Sequence, residues 1–533
     1  MFKLLGDNFS KFQLEDFNYY IKGYLLKGAH LMSKVEIHDH FQHIKSLNNF
    51  NEQLQVLNGC FCIVIQTSDK VYFSTDVIRS YPLFFTINKT NLYMSDNTNS
   101  LLDILNKKEI NSLAREEFIS VKSTPLNYTL IDEIKQVDNG QSFEFSIKSK
   151  TIRSNYYIYN IHANSCKIDF NLFEKILLNT FNRLIDSVNN KTIVVPLSGG
   201  YDSRLIVTML KKLNYSNVVC FSYGKSDSYE AKTSSKVASK LNFDWHFISF
   251  EDSHMKDFLK QNILEEYMLY SGNLSSVPHF QDLYAVHYLK ENNLIDSDSI
   301  FVPGHSGDLL AGSHITEIFN KISTKRFKKN STISSKIHQH WYRLNFFSNQ
   351  KDIDNKKSIQ RIQTFLKHFP SIDNELIKTD VWDISNRQAK FIVNSVRVYE
   401  FYGYDFRLPL WDIDYTKFCL RALVDQRINC NFYNRTLENI IFKEYDIVYK
   451  KESVLIKSIV IKLARKFLNE RIIGFLRFKK NKSYVDFNNE DLIINYIQQK
   501  TEIESTSGFL SIDDWSCVYY LKLLDIKYGI NSN

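Results

Sequence analysis

Cysteine is the first scarcity to weigh. The chain has 533 residues and 7 cysteines, an odd and scattered set with no Cys-x-x-Cys pair. That excludes a disulfide framework and a structural zinc site, and it points to a reducing compartment. Glycine (16) and proline (7) are also scarce, so the chain is neither collagenous nor a Gly/Pro-rich disordered polymer. With Lys, Asn and Ile plentiful, we read that scarcity as a compositional bias. Long apolar runs are missing: none reaches the length needed to cross a bilayer. The start, "MFKLLGDNFSKFQ", carries charges where a signal peptide needs an apolar core. The expected location is therefore the cytoplasm. No concentrated basic block exists either. The formal charge is +8, and Lys and Arg gather only in "KISTKRFKK" (321–329) and between Lys457 and Lys482. That is too little for a nucleic-acid surface, and the first cluster reads as a solvated loop face. There is no internal repeat.

What is present is ordinary globular material, 44% hydrophobic and 24% charged, long enough for two to four domains. Residues 1–160 are strand-rich. "CFCIVIQT", "KVYFSTD", "PLFFTI", "NLYMSD", "NGQSFEFSI" and "KTIRSNYYIYN" are short β-prone runs split by polar turns. Cys60 and Cys62 share one face of such a run, which predicts buried packing. A charged passage at 161–167 reads as a linker. From residue 168 to 533 strands and helices alternate. "KTIVVPLS", "NVVCFSYG", "DWHFISF" and "DSIFVPG" are the strands, and 202–212 and 229–241 are helices between them. This alternation predicts a doubly wound α/β fold with a parallel sheet. Beyond Asp308 the chain turns helical. One helical stretch, 456–480, mixes apolar and basic residues. It is read either as a helix packed on this second domain or as one lying on an acidic membrane surface.

The chemistry concentrates in "VVPLSGGYDSRLIVTML" (194–210). Ligands of open α/β sheets bind outside the carboxyl ends of the strands, and Ser198-Gly199-Gly200 stands at such an end. The two glycines let several backbone N–H groups face one anion, and the following helix adds its positive end. Ser198 and Ser203 can donate to the same oxygens. Asp202 would repel a phosphate unless a cation lies between, so it predicts Mg²⁺. No Gly-Lys-Ser/Thr follows, so the loop is not a Walker A motif. The bland alternative is a Gly-rich turn before a helix.

"SGGYDSR" resembles the pyrophosphate loop of the ATP pyrophosphatase (PP-loop) superfamily, Ser-Gly-Gly-x-Asp-Ser. Tandem features narrow the resemblance to the glutamine-hydrolysing asparagine synthetase family. "LNGCFCIVI", "STDVIRSYPLFF" and "LYMSD" are similar to parts of its glutaminase domain. "PGHSGDLLAGSH" (303–314) resembles its second acidic segment, with Asp308 at the second Mg²⁺ carboxylate and Gly304 beside it. His305 and Leu309 stand where the family has Glu. "YGYDFRLPLWD" resembles its Glu-x-Arg-x-Pro-x-x-Asp element through Asp405, Arg407, Pro409 and Asp412. Asn386-Arg387 takes the place of its Asp-Arg pair. "VYKKES" (448–453) resembles its Lys-Glu element, which aligns Lys451, with Lys450 adjacent.

The resemblance implies an N-terminal glutaminase-like (Ntn-type) β-rich sandwich, then a PP-loop domain with a helical C-terminal part. It implies ATP and Mg²⁺ as cofactors. Ser198, Gly199, Gly200, Asp202 and Ser203 would hold pyrophosphate, and Ser222, Tyr223 and Gly304 would lie near the nucleotide. Glu230 falls at a position commonly acidic in the family. Asp202 and Asp308 would bind the metal, and Lys451 and Arg407 would steady the activated centre. A substrate carboxylate would be adenylated and then captured by ammonia or an amine.

The first domain departs from the family. Residue 2 is Phe2 where a nucleophilic Cys is needed, Cys60 and Cys62 have no free α-amine, and the glutamine-holding Arg is replaced by Thr75 before Asp76. We expect glutaminase activity to be absent. Ammonia would then come free or from a separate glutaminase, or the nucleophile would be an amine. Homodimerisation is left open. The alternatives are an amidotransferase for a sugar carboxylate in surface-polysaccharide biosynthesis, an RNA-modifying PP-loop enzyme, and a non-catalytic scaffold.

Overall fold

The computed structural model describes residues 2–6, 8–157, 165–315, 332–342, 355–370, 372, 374–449, 489–502 and 511–530. Its N-terminal part holds two sheets. The larger orders its strands Ile152–Tyr156, Gln141–Ser146, Lys70–Thr75, Leu57–Gln66, Phe17–Lys27 and Ser10–Leu14, all antiparallel, with His30–Leu31 paired to Phe17–Lys27. The smaller orders Phe2–Leu4, Asn91–Ser95, Phe84–Asn88 and Lys135–Gln136. Side chains of a strand alternate between faces, and aromatic residues on the facing sides join the sheets. Phe85 of the smaller sheet meets Phe73 and Phe143 edge-on, with centroids 5.4 and 5.2 Å apart. The helices Lys34–Phe41 and Leu47–Leu54 add a layer, and Phe50 packs against Tyr72. The strand Leu57–Gln66 is therefore buried along nearly its whole length, and Cys60 and Cys62 pack in this core as expected.

The second part centres on a five-stranded parallel sheet. Its order is Asp244–Ser249, Val218–Gly224, Ile193–Pro196, Ile300–Phe301 and Asp405–Phe406. The buried run Ile193–Pro196 lies in the middle. Its successor in sequence pairs on one side and the fourth strand pairs on the other, so the order reverses here. A crevice opens at such a switch point, outside the carboxyl ends of the strands. Both glycine-containing loops singled out in the sequence leave strands at this place. The amphipathic helices Phe170–Val188, Tyr201–Lys212 and Tyr229–Leu241 accompany the sheet. The last two begin and end within a residue of expectation.

After residue 307 helices dominate, including a π-helical stretch, Ile384–Ile392. The expected linker at 161–167 lies mostly outside the described residues. At its end Cys166 bridges to Ala422. Among the described residues, no helix is long and apolar enough to cross a membrane. The basic stretches 321–329 and 456–480 lie outside the described residues.

Candidate active site

The loop after Ile193–Pro196 is folded on itself. The Ser198 N–H donates to Ser203 Oγ at 3.1 Å, and the Gly200 N–H donates to Ser198 Oγ at 3.1 Å. The two hydroxyls lie 3.1 Å apart. Gly200 caps the helix Tyr201–Lys212 without a side-chain bond, so the N–H groups of the first turn face the crevice as an anion cradle. A Cβ at Gly199 would stand 2.7 Å from the Tyr229 ring. Glycine is required there by space.

The second loop presses directly on the first. A Cβ at Gly304 would lie 2.9 Å from Asp202 Cβ, and one at Gly307 would lie 2.7 Å from Asp202 Cγ. Two positions without side chains thus allow the chain around Asp308 to reach Asp202. The Asp308 N–H donates to Asp202 Oδ2 at 2.9 Å, and the Tyr433 hydroxyl donates to Oδ1 at 2.7 Å. Burial, and then the nearby Asp308 carboxylate, push Asp202 up to about 7. Asp308 is exposed and accepts from the Leu309 N–H at 2.8 Å and from Ser313 Oγ at 3.0 Å. Two carboxylates from two strand ends are therefore brought together. Among the described residues no third His, Cys, Asp or Glu joins them as a metal cage. This donor set fits Mg²⁺, which takes one or two carboxylates and fills its octahedron with phosphate oxygens and water.

The remaining expected residues divide. Ser222 is buried at the end of its strand. The Tyr223 side chain is committed elsewhere: its hydroxyl donates to Asp282 Oδ1 at 2.6 Å, and its ring stacks on Phe250 at 4.9 Å. The Tyr223 side chain is therefore committed to the fold at this strand end. Glu230 is exposed in the first turn of the next helix. His305 is pushed down to about 4 by burial and hydrogen-bonds Ser395. It stands as a neutral imidazole where the family has Glu.

Arg407 is not at this centre. Its guanidinium donates to Ser187 Oγ and the Ser187 carbonyl, both at 3.1 Å, and to the Phe406 carbonyl at 2.8 Å, and it lies 4.1 Å from the Tyr24 ring. Its motif neighbours behave alike. Asp405 accepts from the Tyr81 hydroxyl at 3.2 Å, and Asp412 accepts from Asn58 at 2.7 Å and from Arg183 twice at 2.7 Å. The Asp-x-Arg-x-Pro-x-x-Asp element fastens the parallel sheet to the N-terminal sheets. Its buried hydrogen bonds explain the residue types without any contact to a reacting group.

Lys450 and Lys451 lie outside the described residues, but the chain leading to them is tied to the loop helix. Arg204 donates to the carbonyls of Ile447 and Tyr449 at 3.1 Å each and to that of Gly200 at 2.9 Å. The guanidinium sits over both Tyr201 and Phe442, 4.8 Å from each ring. Tyr201 donates its hydroxyl to Glu438. The variable letter of "SGGYDSR" is thus a docking side chain between the loop helix and the C-terminal helices. Sequence reading missed this role, and it missed Tyr433, because both contacts span more than two hundred residues.

In the N-terminal part, Asp76 is buried and its carboxylate accepts the N–H groups of Phe61 and Ile78 at 2.8 Å and the Ser80 hydroxyl. Thr75, at the glutamine-holding position, donates to the Asp138 carbonyl at 2.7 Å. Phe2 lies in a strand paired with Asn91–Ser95. Burial pushes the Cys60 thiol up to about 12 and Cys62 up as well.

Comparison with known proteins agrees with this geometry. Residues 182–432 match the family model described as asparagine synthase. The chain is 24% identical over 323 residues to the microcin J25-processing protein McjC of Escherichia coli, covering 58% of this chain and 57% of that protein. It is 27% identical over 170 residues to asparagine synthetase [glutamine-hydrolyzing] 1 of Bacillus subtilis (strain 168), covering 31% of this chain and 26% of that protein. The chain thus spans little more than half of the first relative and about a quarter of the second. Among solved structures, an NH3-dependent NAD synthetase from Campylobacter jejuni aligns over 39% of this chain and 100% of its own, at 18% identity and a TM-score of 0.21. The family match covers the glycine loop, both aspartates and the strap from Asp405 to Asp412. The likeness to the asparagine synthase family thus lies in residues 182–432, slightly under half of the chain.

Proposed function

We propose that the protein is an ATP- and Mg²⁺-dependent ligase that adenylates a substrate carboxylate, releases pyrophosphate, and forms an amide with ammonia or an amine. The observation that carries this reading is the meeting of Asp202 and Asp308 at the mouth of the Ser198–Gly200 loop. A carboxylate is a poor electrophile until its oxygen becomes part of a good leaving group, and transfer to the α phosphate of ATP achieves that. The chain's part is positioning and charge stabilisation. Ser198, Gly199, Gly200 and Ser203 hold the departing pyrophosphate with backbone and hydroxyl donors. Asp202 and Asp308 hold Mg²⁺, which supplies charge neutralisation to the phosphate oxygens when bound. The main chain at Ser222 and Tyr223 and the close-packed Gly304 border the base. Lys451 is assigned to the activated centre on the family resemblance, and Arg204 orients the chain just before it. Arg407 has no part in this assignment.

The reading divides the chain into residues 1–160, a glutaminase-like domain without glutaminase activity, and residues 168–533, the ligase domain. The committed Thr75 and the deeply buried cysteines support the loss. Ammonia then arrives free or from a separate glutaminase, or an amine takes its place. The test is ATP–pyrophosphate exchange with aspartate, uronic acids and amino acids as carboxylates, with Asp202→Ala as control. Carboxylate-dependent exchange that vanishes in the control is expected. No exchange with any of them overturns the reading.

A further inference from the structure

The glycines that open the phosphate cradle also leave it loosely held. Gly200 is of the residue type with the widest backbone freedom, and it heads the helix Tyr201–Lys212 with no side-chain cap. Its peptide is held from one turn further along. Arg204 Nε–H donates to the Gly200 carbonyl at 2.9 Å. A peptide unit is planar, so holding that carbonyl also sets the direction of the Tyr201 N–H across the same peptide. That N–H is among the donors a first helical turn leaves for a ligand. The same guanidinium reaches a remote part of the chain, where Nη1 donates to the carbonyls of Ile447 and Tyr449 at 3.1 Å each. Tyr201, Arg204 and Lys212 lie on one stripe of the helix, and the stripe meets residues 438–449. Tyr201 donates to Glu438, the Arg204 guanidinium lies 4.8 Å from the Phe442 ring, and Lys212 pairs with Glu444 at 3.0 Å. Lys240 of the next helix pairs with Asp446. Such surface pairs contribute little by themselves. Arg204 differs from them: it is 1% exposed, and one buried group is bonded both to the cradle and to the segment.

We infer that Arg204 is a positioning residue that makes the phosphate cradle and residues 442–449 one unit, so that a nucleoside triphosphate in the cradle and docking of that segment favour each other. The inference deepens the ligase reading above and rests on it. Phosphate oxygens that engage first-turn N–H groups restrict the Gly200 peptide. A restricted Gly200 carbonyl keeps its bond to Nε. The guanidinium is rigid and planar, so its other donors are then fixed on the Ile447 and Tyr449 carbonyls. Coupling of this kind is reciprocal. The factor by which bound nucleotide tightens the segment equals the factor by which the docked segment tightens the nucleotide. Lysine does not replace arginine in this role. It keeps the charge, but its donors radiate from one nitrogen on a flexible stem, whereas Nε and Nη1 hold separate places in a rigid fork.

The experiment follows amide hydrogen exchange of residues 442–449 in the full-length chain with and without saturating MgATP, and titrates wild type, Arg204→Lys and Arg204→Met with MgATP by calorimetry. In wild type, MgATP is expected to slow exchange in this segment by at least about fivefold. Both variants are expected to bind MgATP weaker by at least about the same factor and to lose the nucleotide-dependent protection. Protection that MgATP leaves unchanged in wild type overturns the inference, and this comparison needs no variant to fold. Wild-type MgATP affinity in Arg204→Lys also overturns it, since charge alone would then suffice. A variant that binds MgATP weakly yet keeps the nucleotide-dependent protection overturns it as well, because cradle and segment would then be linked by another route. Failure of the ligase reading looks different. There, wild type binds no MgATP at all, whereas failure of the inference alone leaves wild-type MgATP binding intact.

Discussion

Asp76 in the N-terminal sheets and Asp202 in the parallel sheet both sit in motifs that resemble one family, and their surroundings differ in kind. Asp76 takes its donors from its own neighbourhood, with Phe61, Ile78 and Ser80 closing a turn around it. Asp202 takes its donors from Asp308 and Tyr433, 106 and 231 residues away, and it faces a like charge. A carboxylate served locally organises a fold. On the proposed reading, one that stands beside a second carboxylate at the mouth of a strand-end loop is arranged for a cation. By the same reading, the first region keeps its motif for structure and the second keeps its motif for chemistry.

The largest expected effect strikes that contrast directly. Asp202→Ala is expected to lower ATP–pyrophosphate exchange by at least on the order of 10²–10³, with the melting temperature little changed. Asp76→Ala is expected to reverse the pattern by damaging folding first. If Asp202→Ala unfolds the chain and Asp76→Ala spares it, the comparison fails.

Next comes the strap from Asp405 to Asp412, whose last carboxylate also accepts from Asn58 of the N-terminal sheets. Arg183 and Asp412 form a buried bidentate pair, with side chains 8% and 7% exposed. Breaking such a pair by removing one partner costs about 3–5 kcal/mol. Arg183→Ala should therefore lower the urea midpoint strongly. A shift of a few tenths of a kcal/mol would show that this pair does not anchor the strap from Asp405 to Asp412.

The pH dependence of Asp202 is a smaller effect with a definite sign. Its folded pKa, about 7, stands above the ordinary carboxylate value. Its contribution to stability is therefore complete below the unfolded pKa near 4 and is lost as pH rises through about 7. Mg²⁺ needs the deprotonated form, so Mg²⁺ with ATP should raise the melting temperature more at pH 8 than at pH 6. Equal shifts at both pH values would remove Asp202 from the metal site.

How much of this was legible in the sequence follows the range of each interaction. The strands at 193–196, 218–224 and 244–249 and their helices were readable because apolar periodicity is local. The glycine loop was readable because its residue types, the strand before it and the helix after it are contiguous in sequence. The strand Asp405–Phe406 was not, since two residues carry no periodicity and its pairing with Ile300–Phe301 is a tertiary choice. The direction of Arg407 was also hidden. Its motif matched, but Ser187 and Tyr24, which capture the guanidinium, are remote in sequence. Tyr433 and Tyr201 belong to the same class, in which partners rather than residue types decide the role.

The smallest expected effect concerns the cysteines of the N-terminal core. Cys60 and Cys62 are buried in the strand Leu57–Gln66 and their thiols are pushed up, chiefly by desolvation. A nucleophilic thiol needs the opposite, a lowered pKa and access. Cys60→Ala and Cys62→Ala should each cost about 1 kcal/mol through lost packing. Amide formation with an ammonium salt or an amine should stay at the wild-type rate, and glutamine should not replace those donors in wild type or in either variant. Glutamine-dependent turnover that a cysteine substitution removes would show that the N-terminal part kept its chemistry, and the contrast between the two regions would have to be redrawn around that thiol.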